Sequence, residues 1–184
     1  MTSETVSPVS FRVSVVRLPQ KGMPVTIEAD EAQRDRLASE HGLLAVKAFR
    51  AELTVSNWKS SGVRVHGEVS AEITQACVIS LDPVESHVET KISALFVPEN
   101  SRLAKIGIGH KEEILLDAEG PDSPEPFSGD LIDVGALAEE YFALAIDPYP
   151  RKEGAHLDER GPDDADEAGK GPLAEKLAAL RLKG

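Results

Sequence analysis

The sequence predicts an α+β fold: a curved antiparallel β-sheet with a meander core, two main helices, an acidic loop and a flexible acidic C-terminal tail. The sheet follows from alternation, because between residues 46 and 97 apolar side chains recur at every second position. The helices follow from a change of period, each opening on an acid suited to cap its first turn. The stretches 117–129 and 153–171 are acidic and rich in Gly or Pro, a composition that buries too little apolar surface to form a core.

At 184 residues the chain suits one domain with a flexible end. We place a single α+β domain at 1–150 and a flexible acidic linker with a short amphipathic segment at 151–184. Aromatic residues make up 4% of the chain, so the core must rest on Val, Leu, Ile and Ala. One cysteine excludes an internal disulfide. No leader pattern opens the chain and no run of roughly 18 apolar residues spans a membrane, so a soluble cytoplasmic protein is expected. The net charge of −12 is unevenly divided. Residues 1–100 carry ten Lys or Arg against thirteen Asp or Glu, while residues 101–184 carry ten against nineteen. Such a surface repels phosphate backbones in general and suits basic protein partners, above all in the second half.

The elements follow in order. FRVSVVRL (11–18) alternates and predicts a strand, with MPVTIEA after Lys21-Gly22 as its hairpin partner. Asp30 and Gln33 have capping-box spacing, and the helix they open ends before Gly42, giving a helix at 30–41. In the next strand Phe49, Ala51, Leu53 and Val55 share one phase. Val63, Val65, Val69, Ala71, Ile73 and Cys77 share one phase in the strand after it. A loop Ser60-Ser61-Gly62, with Gly62 left-handed, sets Arg50 across from Glu72 and Trp58 across from Arg64. The third strand has Val88, Ile92, Ala94 and Phe96 in phase. Joined through Ser80-Leu81-Asp82-Pro83, it sets Lys91 beside Glu72 and Phe96 opposite Gly67. Beyond Pro98, KEEILLD offers a short strand at 114–116. Asp133 predicts the cap of a second helix with Leu137, Tyr141 and Leu144 as its apolar stripe, and Pro148 and Pro150 stop it. The terminal GPLAEKLAALRLKG places Leu173, Leu177 and Leu180 on one side of a segment too short to be a stable helix alone.

No phosphate-binding glycine loop, HExxH or nucleophile elbow is present. The five histidines are scattered, and no cofactor or metal is called for. Glu139 and Glu140 are adjacent on a helix and point about 100° apart, so they do not form a facing acid/base pair. Arg50, Trp58, Arg64 and Lys91 are candidate RNA contacts on the polar sheet face, with Trp58 as the stacking surface. Glu52, Glu68 and Glu72 interrupt that face. Cys77 lies in the buried phase and reads as a small apolar residue, since no electropositive neighbour stands near it in sequence.

Three segments, ACVISLDPVESHVE, GDLIDVGALAEEYFALAIDPYPRKEGA and GPLAEKLAALRLKG, together resemble the YceD family, the large ribosomal RNA subunit accumulation proteins, in its alphaproteobacterial form. The resemblance implies a non-catalytic bacterial or plastid factor needed for accumulation of 23S ribosomal RNA and assembly of the large ribosomal subunit. Its implied partners are ribosomal proteins or the large-subunit precursor, with ribosomal RNA itself as the alternative. Candidate docking positions are then Glu139, Glu140 and Tyr149 in the second segment and Leu173, Leu177 and Leu180 in the third. Many members carry Cys-x-x-Cys where this chain has Cys77-Val78-Ile79-Ser80. A lone thiol forms neither a disulfide nor a two-thiolate metal site within one chain, so Cys77→Ala is expected to cost packing rather than function.

Overall fold

The computed structural model describes residues 6–59, 61–101 and 124–156. In chain order the elements are β1 (Arg12–Ser14), one 3-10 turn (Val15–Arg17), β2 (Met23–Glu28), α1 (Glu31–Glu40), β3 (Ala45–Trp58), β4 (Gly62–Ala76), β5 (Pro83–Pro98), β6 (Glu125–Phe127), β7 (Leu131–Asp133) and α2 (Val134–Ala145). Five strands form one sheet in the order β2-β3-β4-β5-β6, and only the β5–β6 pair is parallel. β1 and β7 form a separate antiparallel ribbon. The α+β class and the β3–β4–β5 meander are as expected from the sequence. The strand expected at 114–116 and the tail with Leu173, Leu177 and Leu180 lie outside the described residues.

Alternation sorts the two faces of the sheet. Phe49, Leu53, Val55, Val65, Val69, Ile73, Val88 and Ile92 are buried, and the residues between them face outward. α1 packs against β3, and α2 against β4 and β5. Both helices start where the sequence places them. Asp30 accepts from the Gln33 N–H at 2.8 Å while the Gln33 side chain accepts from the Asp30 N–H at 2.9 Å, a complete capping box. Asp133 accepts from the N–H groups of Gly135 and Ala136 at 3.1 and 3.0 Å. The same carboxylate takes the Phe11 N–H at 2.9 Å and the Ser10 hydroxyl, so one side chain ties the N-terminal segment to the second helix. Burial works against the charged form of Asp133, but these four donors outweigh it and hold the carboxyl below its ordinary range.

Several expectations are corrected. The hairpin between 11–18 and β2 does not form: the strand stops at Ser14, the chain coils through Val15–Arg17, and β1 pairs with β7 while β2 pairs with β3. The β3–β4 hairpin closes on Trp58 opposite Gly62, so Lys59 (φ 52°) is left-handed and Gly62 lies within β4. Gly62 serves packing there, because a Cβ would come within 2.7 Å of the Trp58 ring. Arg50 consequently faces Ser70, Glu72 faces Ala48, and Arg64 faces Ser56. β4 ends at Ala76 rather than running on to Ile79, and Gly67 faces Ile92 while Phe96 faces Val63. The charge ladder expected across Arg50, Glu72 and Lys91 is therefore absent, and Lys91 faces Glu68. Part of the expected acidic loop is strand β6, where Pro126 sits on an edge that requires no N–H on its outer side. In α2 the buried arc is Val134, Leu137, Ala138 and Phe142, while Leu144 is 78% exposed. At about 100° per residue, Leu144 lies roughly a quarter of a turn from the centre of that arc.

Phe142 is the keystone between the helices and the sheet. It is fully buried and meets the Phe49 ring edge-on at 5.4 Å and the His41 ring at 5.5 Å. His41, the C-cap of α1, also reaches Glu139 of α2 at 3.0 Å.

Candidate functional site

The polar face of the sheet is built by the outward-pointing residues of β2 to β5. Arg50 is held between Glu28 and Glu52, and Glu52, by hydrogen bond and charge, raises its pKa above the ordinary guanidinium value. Glu52 and Glu68 face each other directly across β3 and β4, a like-charge pair that costs stability unless cations flank it. Lys91 faces Glu68 and Arg50 reaches Glu52, which supplies those cations. Further along, His87 Nδ1 bonds Glu72 at 2.7 Å and its Nε2 approaches Glu89 at 3.5 Å. The hydrogen bond to Glu72 is the main cause that lifts the His87 pKa above its usual value, although loss of water around the ring opposes it. Lys47 pairs with Glu85.

At the centre of this face lies a shallow depression of about 430 Å³, lined by Glu52, His66, Gly67, Glu68, Lys91 and Ser93 among others. Gly67 lines it with backbone alone, and a Cβ there would come 2.0 Å from the Glu52 carbonyl oxygen on β3. The four residues singled out for RNA do not converge on this depression. Lys91 lines it; Arg50 is engaged by two carboxylates; Arg64 faces Ser56 near the hairpin tip. Trp58 carries the Lys59 ammonium over its ring at 4.2 Å, not Arg64.

The first two segments of the sequence resemblance meet in space at one corner. The turn after β4 is closed by Cys77 N–H to the Asp82 carbonyl at 2.8 Å and Leu81 N–H to the Cys77 carbonyl at 2.9 Å, with Leu81 left-handed at φ 62°. Residues 147–152, following α2, lie along this turn. The Gln75 side chain donates to the Asp147 carbonyl at 2.9 Å, and the Val78 N–H donates to the Pro150 carbonyl at 2.9 Å. Lys152 reaches Asp82 at 3.0 Å, and its N–H points at Cys77 Sγ at 3.4 Å. Lys152 and, with it, Ser80 hold the Asp82 carboxyl below its ordinary range.

Cys77 is buried, as the alternation predicts. Its surroundings are not apolar, however. Besides the Lys152 N–H, Sγ receives the N–H groups of Ile79 at 3.4 Å and Ser80 at 3.5 Å. The Lys152 N–H first, then the Ser80 side chain and the two turn amides, push the thiol down from 9.0 to about 6. Sequence reasoning missed this because the strongest donor stands 75 residues away.

Of the candidate docking residues, Glu139 is half-hidden beside His41, Glu140 is exposed, and Tyr149 is 70% exposed on the segment that lines the turn. Val78, Leu81 and Leu144 are also exposed in or next to these segments, although helical period had set Leu144 in the apolar stripe. Among the described residues no cluster of three or more His, Cys, Asp or Glu stands ready to hold a metal ion. No described helix is long and apolar enough to cross a membrane.

These features define a class: an acidic α+β protein in which two helices cover one face of a meander sheet and the other face is left polar and carboxylate-rich. The chain belongs to the YceD family, large ribosomal RNA subunit accumulation protein YceD, whose model matches residues 65–181. That span includes the turn at Cys77, helix α2 and the segment from Asp147 to Lys152. Membership carries a role in large ribosomal RNA subunit accumulation. No curated protein and no solved structure matches the chain.

Proposed function

We propose that the chain is a non-catalytic factor for accumulation of 23S ribosomal RNA that acts by holding basic proteins of the large-subunit precursor. The observation that supports this most is the charge of the open sheet face. Glu28, Glu52, Glu68, Glu72, Glu85 and Glu89 outnumber Lys47, Arg50, Arg64 and Lys91 there, and Arg50 and Lys91 already face carboxylates. Such a face repels a phosphate backbone and attracts a cationic protein. Residues 153–184, with Leu173, Leu177 and Leu180, add a second contact of apolar character, and Glu140 and Tyr149 are candidate contacts apart from the sheet face.

The test is capture of purified large-subunit proteins by the full chain and by a chain lacking residues 153–184. Deletion of the tail is expected to weaken capture, and unchanged capture would overturn the role given to it. A second reading, direct RNA contact, draws support from one place only, the β3–β4 hairpin tip where Trp58, Lys59 and Arg64 lie close in sequence and register. RNA binding there would collapse on reversing Arg64 and Lys59, whereas capture of basic proteins by the carboxylates of the sheet face would survive that reversal.

A further inference from the structure

β5 spans Pro83–Pro98, and among the described residues only one of its edges is paired along almost its whole length. Toward β4 it is paired without interruption, from Pro83 opposite Ala76 to Phe96 opposite Val63. On its other side β6 pairs with Phe96, Val97 and Pro98, and among the described residues no other strand lies there. In an antiparallel strand the N–H and C=O of one residue face the same neighbour, and those of the next residue face the opposite way. Two bonds fix the outward set. The Glu99 N–H donates to the Phe127 carbonyl at 3.1 Å, and the Tyr141 hydroxyl donates to the Ser93 carbonyl at 2.9 Å. Odd-numbered residues therefore face away from β4. α2 covers the edge at Ser93, while the backbone groups of Glu85, His87, Glu89 and Lys91 have no partner among the described residues.

An open edge of this length is a template for an added strand, and its side chains specify which. Glu85 and Glu89 project from the outer face with side chains 75% and 64% exposed, and Glu72 stands behind them on β4. Cross-strand pairing favours Lys or Arg opposite these positions. On the inner face Ser86, Val88 and Thr90 alternate with them, which suits small or β-branched apolar residues. A second copy would bring another −12 of charge and is repelled. RNA offers no matching row of backbone N–H and C=O groups.

We propose that the edge from Glu85 to Lys91 is a strand-addition site for an extended segment of a partner protein in which basic residues alternate with small apolar ones. This rests on the reading of the chain as a factor that holds basic proteins, and it names the surface that does so. The measurement is amide hydrogen exchange by NMR on the full chain, with and without a short peptide alternating lysine and valine. The amides of Glu85, His87, Glu89 and Lys91 are expected to exchange fast in the free protein and at least about tenfold slower with the peptide. Glu89→Pro removes one outward N–H and spares the ladder to β4, so it should weaken the peptide by about tenfold. Glu89→Ala keeps the N–H and should cost only a few-fold. Protection of these amides before peptide is added would mean that the chain itself or a second copy already covers the edge, and would overturn the proposal. Unchanged protection on binding, or equal losses for Pro and Ala, would overturn it too. Should Glu89→Pro fail to fold, the exchange pattern of the parent still decides. Continued capture of large-subunit proteins with these amides unprotected removes this surface and leaves the functional reading standing; loss of all capture removes that reading first.

Discussion

Three backbone N–H groups converge on the Cys77 sulfur, and the state they favour is the thiolate. Its pKa in the folded chain, about 6, lies below the ordinary 9.0. A group whose folded pKa is depressed adds stability that is fully present above the unfolded value and is lost as pH falls through the folded one. Urea unfolding should therefore show the parent gaining stability from pH 6 to 9, with Cys77→Ala flattening that rise. An identical slope in both proteins would mean that the thiol stays protonated. The substitution is still expected to leave ribosomal RNA accumulation intact, because a buried sulfur held by its own backbone has no route to a substrate.

At the scale of elements, the close passage of β3 over Gly67 leaves no room for a side chain. A methyl group placed there meets the Glu52 carbonyl oxygen at 2.0 Å, so the two strands must part. Gly67→Ala should cost about 3 kcal/mol in urea or thermal unfolding, whereas Ser70→Ala on the same face should stay within about 0.5 kcal/mol. The faces of β3, β4 and β5 were legible in the sequence because burial imposes a period of two. Their registers were not, and the reason is physical: sliding a strand by two or four residues keeps every side chain on its own face. What sets register here is turn geometry, and the two decisive turns place Lys59 and Leu81, not glycine, in the left-handed region. The helix starts were legible because a capping acid and its partner are three residues apart. The pairing of β1 with β7 was not, since it joins Arg12 to Asp133 through tertiary packing alone. The site divided in the same way: the carboxylates of the open face were visible, while the contact of Lys152 with the Cys77 turn was not.

For the molecule as a whole, Phe142 joins three elements through two edge-on ring contacts, to Phe49 of β3 and to His41 at the end of α1. Phe142→Ala should cost about 4 kcal/mol, a large share of the roughly 5–15 kcal/mol that holds a domain of this kind together. Thermal unfolding and near-UV circular dichroism would register the loss, and a change of less than about 1 kcal/mol would show that the helices are anchored elsewhere. The contacts between the Cys77 turn and residues 147–152 have a consequence in time rather than in space. Their partners are 70 to 75 residues apart in the chain, so a large loop must close before any of them forms. During synthesis all strands of the meander emerge well before Lys152 does, and every contact that needs Lys152 must wait for it. The corner between β4 and β5 is then the last part of the sheet to be secured, and until it is, the thiol of a newly made chain lacks the donor that does most to keep it ionised.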